Sequence, residues 1–183
     1  MDVVLKRPRG PVSWLQVYRL YLQAFPSSER KPFAIILKKT RNGTTDVWCM
    51  YANGRFSGFC TTINGDSAVL LDYLAVCEAV RGKGIGSQTL YALQQQYEGR
   101  GLFVEIESPF DEGDDKEARV RRKAFYRACG MEPFGVMARV FGVNMELLGR
   151  GCSLDYAAYH AFYRDYYSRY AADHLQELPY PEA

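Results

Sequence analysis

The sequence predicts an α/β (α+β) domain in which a mixed, mostly antiparallel central sheet carries helices on both faces. Three observations point there. Two Asn-Gly pairs, Asn53-Gly54 and Asn64-Gly65, separate β-rich runs, and both residue types tolerate the positive φ of a tight hairpin. A glycine-rich turn at residues 81–87 then joins a strand to a helix. Beyond it the pattern alternates strand and helix, and a meander that runs into a β-α-β unit requires a mixed sheet. At 183 residues the chain has the length of one domain by the rough rule of ~100–200 residues each, so 1–183 reads as a single domain with 152–183 as a C-terminal helical extension.

Each element has a local reason. Val3 to Lys6 reads as a first strand, and Pro11, suited to the first turn of a helix, opens a segment through Phe25 in which Trp14, Tyr18, Tyr21 and Phe25 recur at helical spacing. Lys31 to Lys39 is a second short helix or a strand, ended by Asn42-Gly43. Asp46 to Tyr51, Phe56 to Ile63 and Ala68 to Val76 form the meander. A helix from about Gly84 to Glu98, a strand at Leu102 to Glu107 and a helix from about Glu117 to Cys129 follow. Strands at Phe134 to Val140 and Val143 to Leu148 precede an extra C-terminal helix that starts near Leu154.

Composition narrows the function. Hydrophobic residues make up 48% and charged residues 24%, a globular profile, and 23 basic residues against 21 acidic ones argue against a nucleic-acid partner. No apolar run is long and uncharged enough to span a bilayer, so no membrane partner is expected. Cys49, Cys60, Cys77, Cys129 and Cys152 form neither a zinc spacing nor a disulfide framework. With no signal-like stretch near the start, those thiols suggest a reducing, cytoplasmic setting. His160 and His174 are too far apart for a one-turn metal pair, and no metal is expected.

The informative stretch is residues 70–93, LLDYLAVCEAVRGKGIGSQTLYAL. Gly82, Gly84 and Gly86 let the backbone approach a ligand without Cβ clashes, and unpaired N–H groups at the helix start make an anion cradle to which Arg81 and Lys83 add charge. Pyrophosphate binding is the chemistry this suggests. Neither the Walker nor the dinucleotide glycine spacing is met. Arg81-x-x-Gly84-x-Gly86 after Leu74-Ala75-Val76 resembles the acyl-CoA signature of the GNAT superfamily of N-acyltransferases. Arg122-x-x-Phe125-Tyr126-x-x-x-Gly130-Met131 is similar to the later helix of that family.

The resemblance implies a splayed pair of strands, Asp72–Val76 and its neighbour, with acetyl-CoA as co-substrate and no metal. The pantetheine arm would pair with Leu74, Ala75 and Val76, with the Leu74 N–H polarising the thioester carbonyl. Amides from Gly82 through Lys83, Gly84, Ile85 and Gly86 to Ser87 would hold the pyrophosphate. Tyr126 matches the family's general acid, and Glu105 resembles a position where the family often carries a base. Asp72, Glu29, Glu107 or water alone are alternatives for that base, which is needed because an amine with pKa near 10.4 is neutral only about 0.04% of the time at pH 7. Arg119 stands where many members have an Asn that contacts pantetheine, so Arg119 or Arg122 would meet a CoA phosphate instead.

In similar proteins the connection Ala24–Pro32 covers the acceptor pocket, which makes Phe25, Glu29 and Arg30 candidate wall residues; a capped turn between helices explains them equally. Ser108 to Lys116 carries four carboxylates, read as solvation at a helix N-terminus or as steering of cationic amines. Tyr156, Tyr159, Tyr163, Tyr166 and Tyr170 form a stripe that suits core packing or a homodimer surface. The expected activity is transfer of an acetyl group from acetyl-CoA to a primary amine of a small molecule. A protein or peptide acceptor, a non-catalytic CoA-binding protein, and an acyl-enzyme on Cys77 or Cys129 are the alternatives.

Overall fold

The computed structural model describes residues 2–27 and 29–181. They form two compact units. The first holds the chain up to Asn64 together with Leu71–Gln96, and the second holds Gly65–Leu70 and the chain from Tyr97 onward.

In the first unit, β1 (Val3–Lys6), β2 (Thr45–Ala52) and β3 (Arg55–Asn64) lie antiparallel. Asn53 and Gly54 at φ 51° and 73° make the two-residue turn that pairs Ala52 with Arg55, as the Asn-Gly pair predicts. The strand β4 (Ala68–Val76) belongs to this unit from Leu71 on. A register shift at Met50/Tyr51 lies opposite Gly58, where a Cβ would run into the Ala75 carbonyl oxygen and the Met50 side chain. Only glycine allows β3 to approach β4 this closely. Alternation along the strands then builds two apolar layers. Val47, Cys49, Phe59, Tyr73 and Ala75 pack against α1 (Gly10–Ala24) and α2 (Phe33–Arg41). Met50, Ala52, Leu74 and Val76 pack with Ile85 at the start of α3 (Ile85–Gln96). The segment around Lys31–Lys39 is therefore helical, beginning after Pro32.

The second Asn-Gly pair behaves differently from the first. Asn64 ends β3 without positive φ, the link runs over residues 65–67, and the Gly65 N–H donates to the Ala68 carbonyl at 3.0 Å. Glycine is required there because a Cβ would meet the Phe162 ring at 2.6 Å, not because of turn handedness.

In the second unit, the Gly101 N–H donates to Ser67 O at 3.0 Å just before β4, where β5 (Gly101–Glu107) begins. The helix α4 (Lys116–Ala128) follows, then β6 (Glu132–Val140) and β7 (Val143–Arg150), joined through Phe141 and Gly142 at φ 47° and 88°. The expected C-terminal helix is broken. It comprises α5 (Tyr156–Phe162), a π-helical turn at Tyr163–Tyr167, α6 (Arg169–Ala172) and a strand, β8 (Leu175–Leu178), antiparallel to β6. The break falls at Ser168, whose extended backbone and side-chain oxygen, accepting from the Ala171 N–H, start a new helix. Tyrosines at spacings of three and four imitate one continuous helix and hide that cap. Among the described residues the strand order is β1-β2-β3-β4-β5-β7-β6-β8, mostly antiparallel with a parallel β4/β5 pair.

Candidate functional site

After Val76 the first unit makes a single 3₁₀ turn at Glu78–Val80 and enters the glycine turn. Gly82 and Gly84 sit at φ 73° and 78°, and a Cβ at either would find nothing within 4 Å. The Gln88 N–H donates to Gly84 O at 3.0 Å, so the amides of 85–87 precede the first intrahelical donor. Arg81 Nε donates to the Val76 carbonyl at 3.2 Å and Lys83 Nζ to the Ala79 carbonyl at 3.4 Å, both exposed. A left-handed, open, amide-lined and cationic turn has the features an anion needs. Asp72, Leu74 and Val76 are the less buried positions of β4, alternating with Tyr73 and Ala75.

The connection from α1 to α2 is fastened to β4. The Tyr73 hydroxyl donates to Glu29 O at 2.8 Å and accepts from the Lys31 N–H at 3.3 Å, and the Tyr21 hydroxyl donates to Lys31 O at 2.9 Å. Burial raises both phenols' pKa, so they stay protonated donors. Asp72 accepts from Lys31 Nζ with both oxygens at 2.7 Å. A carboxylate committed to an ammonium is poorly placed to take a proton from another. Phe25 packs its edge on Tyr73 at 4.8 Å, the Glu29 side chain is exposed, and Arg30 is half-buried.

In the second unit, Glu105 is half-buried and both its oxygens are engaged. The Tyr159 hydroxyl donates to Oε1 at 2.8 Å and the Tyr163 hydroxyl to Oε2 at 2.9 Å. Tyr126 is buried, its ring edge on Phe125 at 5.1 Å. These two candidates occupy opposite faces of the sheet. Ile106 pairs with Glu146 of β7, and Lys123 of α4 reaches Glu146 Oε1 at 2.8 Å, which puts α4 and Tyr126 on the Ile106 face. Phe103 meets Phe162 at 5.0 Å on the Glu105 face.

Arg119 donates to Asp111 O at 2.7 Å and pairs with Asp115 at 2.9 Å, whereas Arg122 is exposed. The loop 108–116 is held by its own charges. Asp111 accepts from Ser108 Oγ and Asn144 Nδ2, both at 2.9 Å, and Glu112 pairs with Lys116. Burial raises the Cys77 thiol pKa and Cys129 is buried, which suits neither to nucleophilic attack. Among the described residues no three metal-ligating side chains cluster. Two features lie outside the sequence reading. The partners of Glu105 were visible only as an aromatic stripe, and the fully buried Glu146, which also accepts from the Tyr180 hydroxyl at 2.6 Å, left no trace in the pattern of β7.

Comparison with known proteins bears on this arrangement. A model of the Acetyltransferase (GNAT) family matches residues 14–131. No curated protein matches by sequence. A GNAT-family protein from Bacteroides thetaiotaomicron has a similar structure, with TM-score 0.71 and 21% identity over 91% of this chain and 99% of that one. The aminoglycoside 6'-N-acetyltransferase from Enterococcus faecium is similar at TM-score 0.64 and 15% identity, over 85% and 99% of the two chains. A GNAT acetyltransferase from Elizabethkingia anophelis with acetyl-CoA bound is similar at 0.57 and 17%, over 81% and 95%. With the family model covering well over half of the sequence and the same fold in these structures, the chain belongs to the GNAT family of acetyltransferases.

Proposed function

We propose that this protein transfers an acetyl group directly from acetyl-CoA to the primary amine of a small molecule, in the cytoplasm. The observation that carries the reading is the glycine turn, where two left-handed glycines leave open space beside the unpaired amides that begin α3. Amides of Gly82–Ser87, with Arg81 and Lys83, hold the pyrophosphate, and the backbone of Leu74–Val76 pairs with the pantetheine arm. The Leu74 N–H stabilises charge on the thioester oxygen. Glu105 takes a proton from the ammonium, the neutral amine nitrogen bonds to the carbonyl carbon, and the carbon–sulfur bond breaks. Tyr126 gives its hydroxyl proton to the departing sulfur and is reprotonated by the second proton, which the new amide nitrogen sheds. Base and acid on opposite sheet faces suit a reaction whose proton leaves on one side and arrives on the other. Arg119, Arg122, Phe25, Glu29 and Arg30 remain candidates for CoA and acceptor contacts.

The test is thiol release from acetyl-CoA across a panel of primary amines, with Tyr126→Phe as the control. Turnover with at least one amine is expected, lowered roughly 10–1000-fold in Tyr126→Phe, since general acids contribute about 10²–10⁴ and a thiolate needs modest help. CoA that raises the melting temperature while no amine is acetylated would mark a binding protein instead.

One observation favours a second reading, in which the amine belongs to a polypeptide. The helices α1 and α2 contain no carboxylate; Arg19, Lys38 and Arg41 are exposed beside Leu15, Tyr18, Leu22 and Ile35, each more than a third accessible. Such a face complements an acidic peptide with apolar anchors. If that reading holds, Arg19→Gln with Lys38→Gln raises KM for an acidic peptide and leaves that for a small amine unchanged.

A further inference from the structure

We infer that Tyr159 and Tyr163 are positioning residues for Glu105, holding its carboxylate in one orientation and in its charged form, so that the C-terminal segment completes the proton-accepting group. This rests on reading Glu105 as the base. Both tyrosines lie beyond residues 14–131, the stretch matched to the family, so the contribution comes from this chain's own C-terminal segment.

The geometry carries the inference. Two hydroxyls four residues apart on one helical face meet the two oxygens of one carboxylate at 2.8 and 2.9 Å. Each ring is locked. Tyr159 is fully buried and meets Tyr163 edge-on at 5.0 Å, and Tyr163 stacks on Tyr167 at 4.4 Å with 8° between planes. Asp155, accepting from the Ala158 N–H at 2.8 Å, anchors the start of the helix. Immediately after Tyr159 and its turn, the backbone widens into the π-helical turn Tyr163–Tyr167, a local departure that often accompanies a functional side chain. Burial and the Glu105 charge both raise the tyrosine pKa values, so the hydroxyls donate and do not exchange roles with the carboxylate.

A carboxylate has about four acceptor sites. The tyrosines fill one on each oxygen. Within the unit, the groups on this face are Tyr159, Tyr163 and Tyr167 from the C-terminal segment and Glu107 from the same strand, while Leu147 pairs across from β7. Donation from two hydroxyls favours the ionised form of Glu105 and fixes the direction from which it accepts.

The test uses the full chain labelled with ¹³C at glutamate Cδ, with the Glu105 signal assigned by its loss in Glu105→Gln. Tyr159→Phe and Tyr163→Phe are each expected to raise the midpoint of the Glu105 titration by about one pH unit, and to move the acidic limb of kcat/KM for the best amine of the panel with it. Replacement of tyrosine by 3-fluorotyrosine, a stronger donor that keeps the ring, is expected to lower the midpoint. This arm stands if a phenylalanine variant does not fold. An unmoved Glu105 midpoint in folded phenylalanine variants and in the fluorinated protein overturns the inference. A kcat/KM limb that survives Glu105→Gln instead overturns the reading of Glu105 as the base, whatever the tyrosines do.

Discussion

Gly84 combines two demands that a substitution can separate. Its φ of 78° penalises any β-branched residue even without ligand, so Gly84→Val mixes strain with obstruction. Asparagine accepts the left-handed region, and open space surrounds the position, so Gly84→Asn is expected to change stability without ligand by less than about 1 kcal/mol. If phosphate lies against this backbone, the same variant loses the stabilisation that CoA confers, about 2.7 kcal/mol at 100 times its dissociation constant. Melting curves with and without CoA decide it, and an asparagine variant stabilised as much as the parent removes phosphate from the turn. Asp72 calls for the opposite expectation. Removing its charge deprives the half-buried Lys31 ammonium of its carboxylate partner, so Asp72→Asn should cost about 1–3 kcal/mol while the acidic limb of the rate profile stays. The glycines were legible because their spacing is itself the signal. The pairing of Asp72 with Lys31 was not, because the two lie 41 residues apart and only the fold brings them together.

The connection between α1 and α2 shows how an element that reads as a loop acquires rigidity. Three of its backbone groups bond to two buried hydroxyls, and Phe25, Phe33 and Phe59 surround the Tyr21 ring at 5.7, 5.6 and 6.3 Å. Tyr73→Phe keeps the ring and deletes the oxygen that serves Glu29 and Lys31, which should cost about 1–3 kcal/mol for the two hydrogen bonds lost. Amide exchange at residues 29–31 should quicken by far more than exchange in β2. Equal quickening everywhere would show that the hydroxyl stabilises the unit rather than the connection. From the sequence, the two prolines marked this segment as a break in the helices, but nothing marked its anchors. The same limit explains the C-terminal segment. Its tyrosine period is helical up to Ser168, and β8 has only four residues, LQEL, whose pattern means little until β6 is there to pair with it.

On the scale of the whole molecule, both compact units bury groups that can ionise only at alkaline pH. In the first, burial pushes the Cys49 thiol up to about 11 and Cys60 higher still. Tyr73 in the first unit and Tyr159 and Tyr163 in the second are raised as well. The sign follows from linkage. A group whose folded pKa lies above its unfolded value stabilises fully below the unfolded value and loses that contribution as pH rises toward the folded one. Unfolded thiols ionise near ~8.5 and phenols near ~10. Stability should therefore hold up to about pH 8.5, fall by about 2 kcal/mol per buried thiol by pH 10, and then fall more steeply as the tyrosines join. Urea midpoints at pH 7.5, 9 and 10 measure the first phase, and Cys60→Ala, which removes one thiol, should flatten it after its own cavity cost is subtracted. The phenolate absorbance contributed by these buried tyrosines should rise together with loss of ellipticity above pH 10, because their hydroxyls ionise on unfolding. A midpoint that stays constant from pH 7.5 to 10, or phenolate from all the tyrosines in a protein that is still folded, would place these groups in contact with water and contradict the packing described.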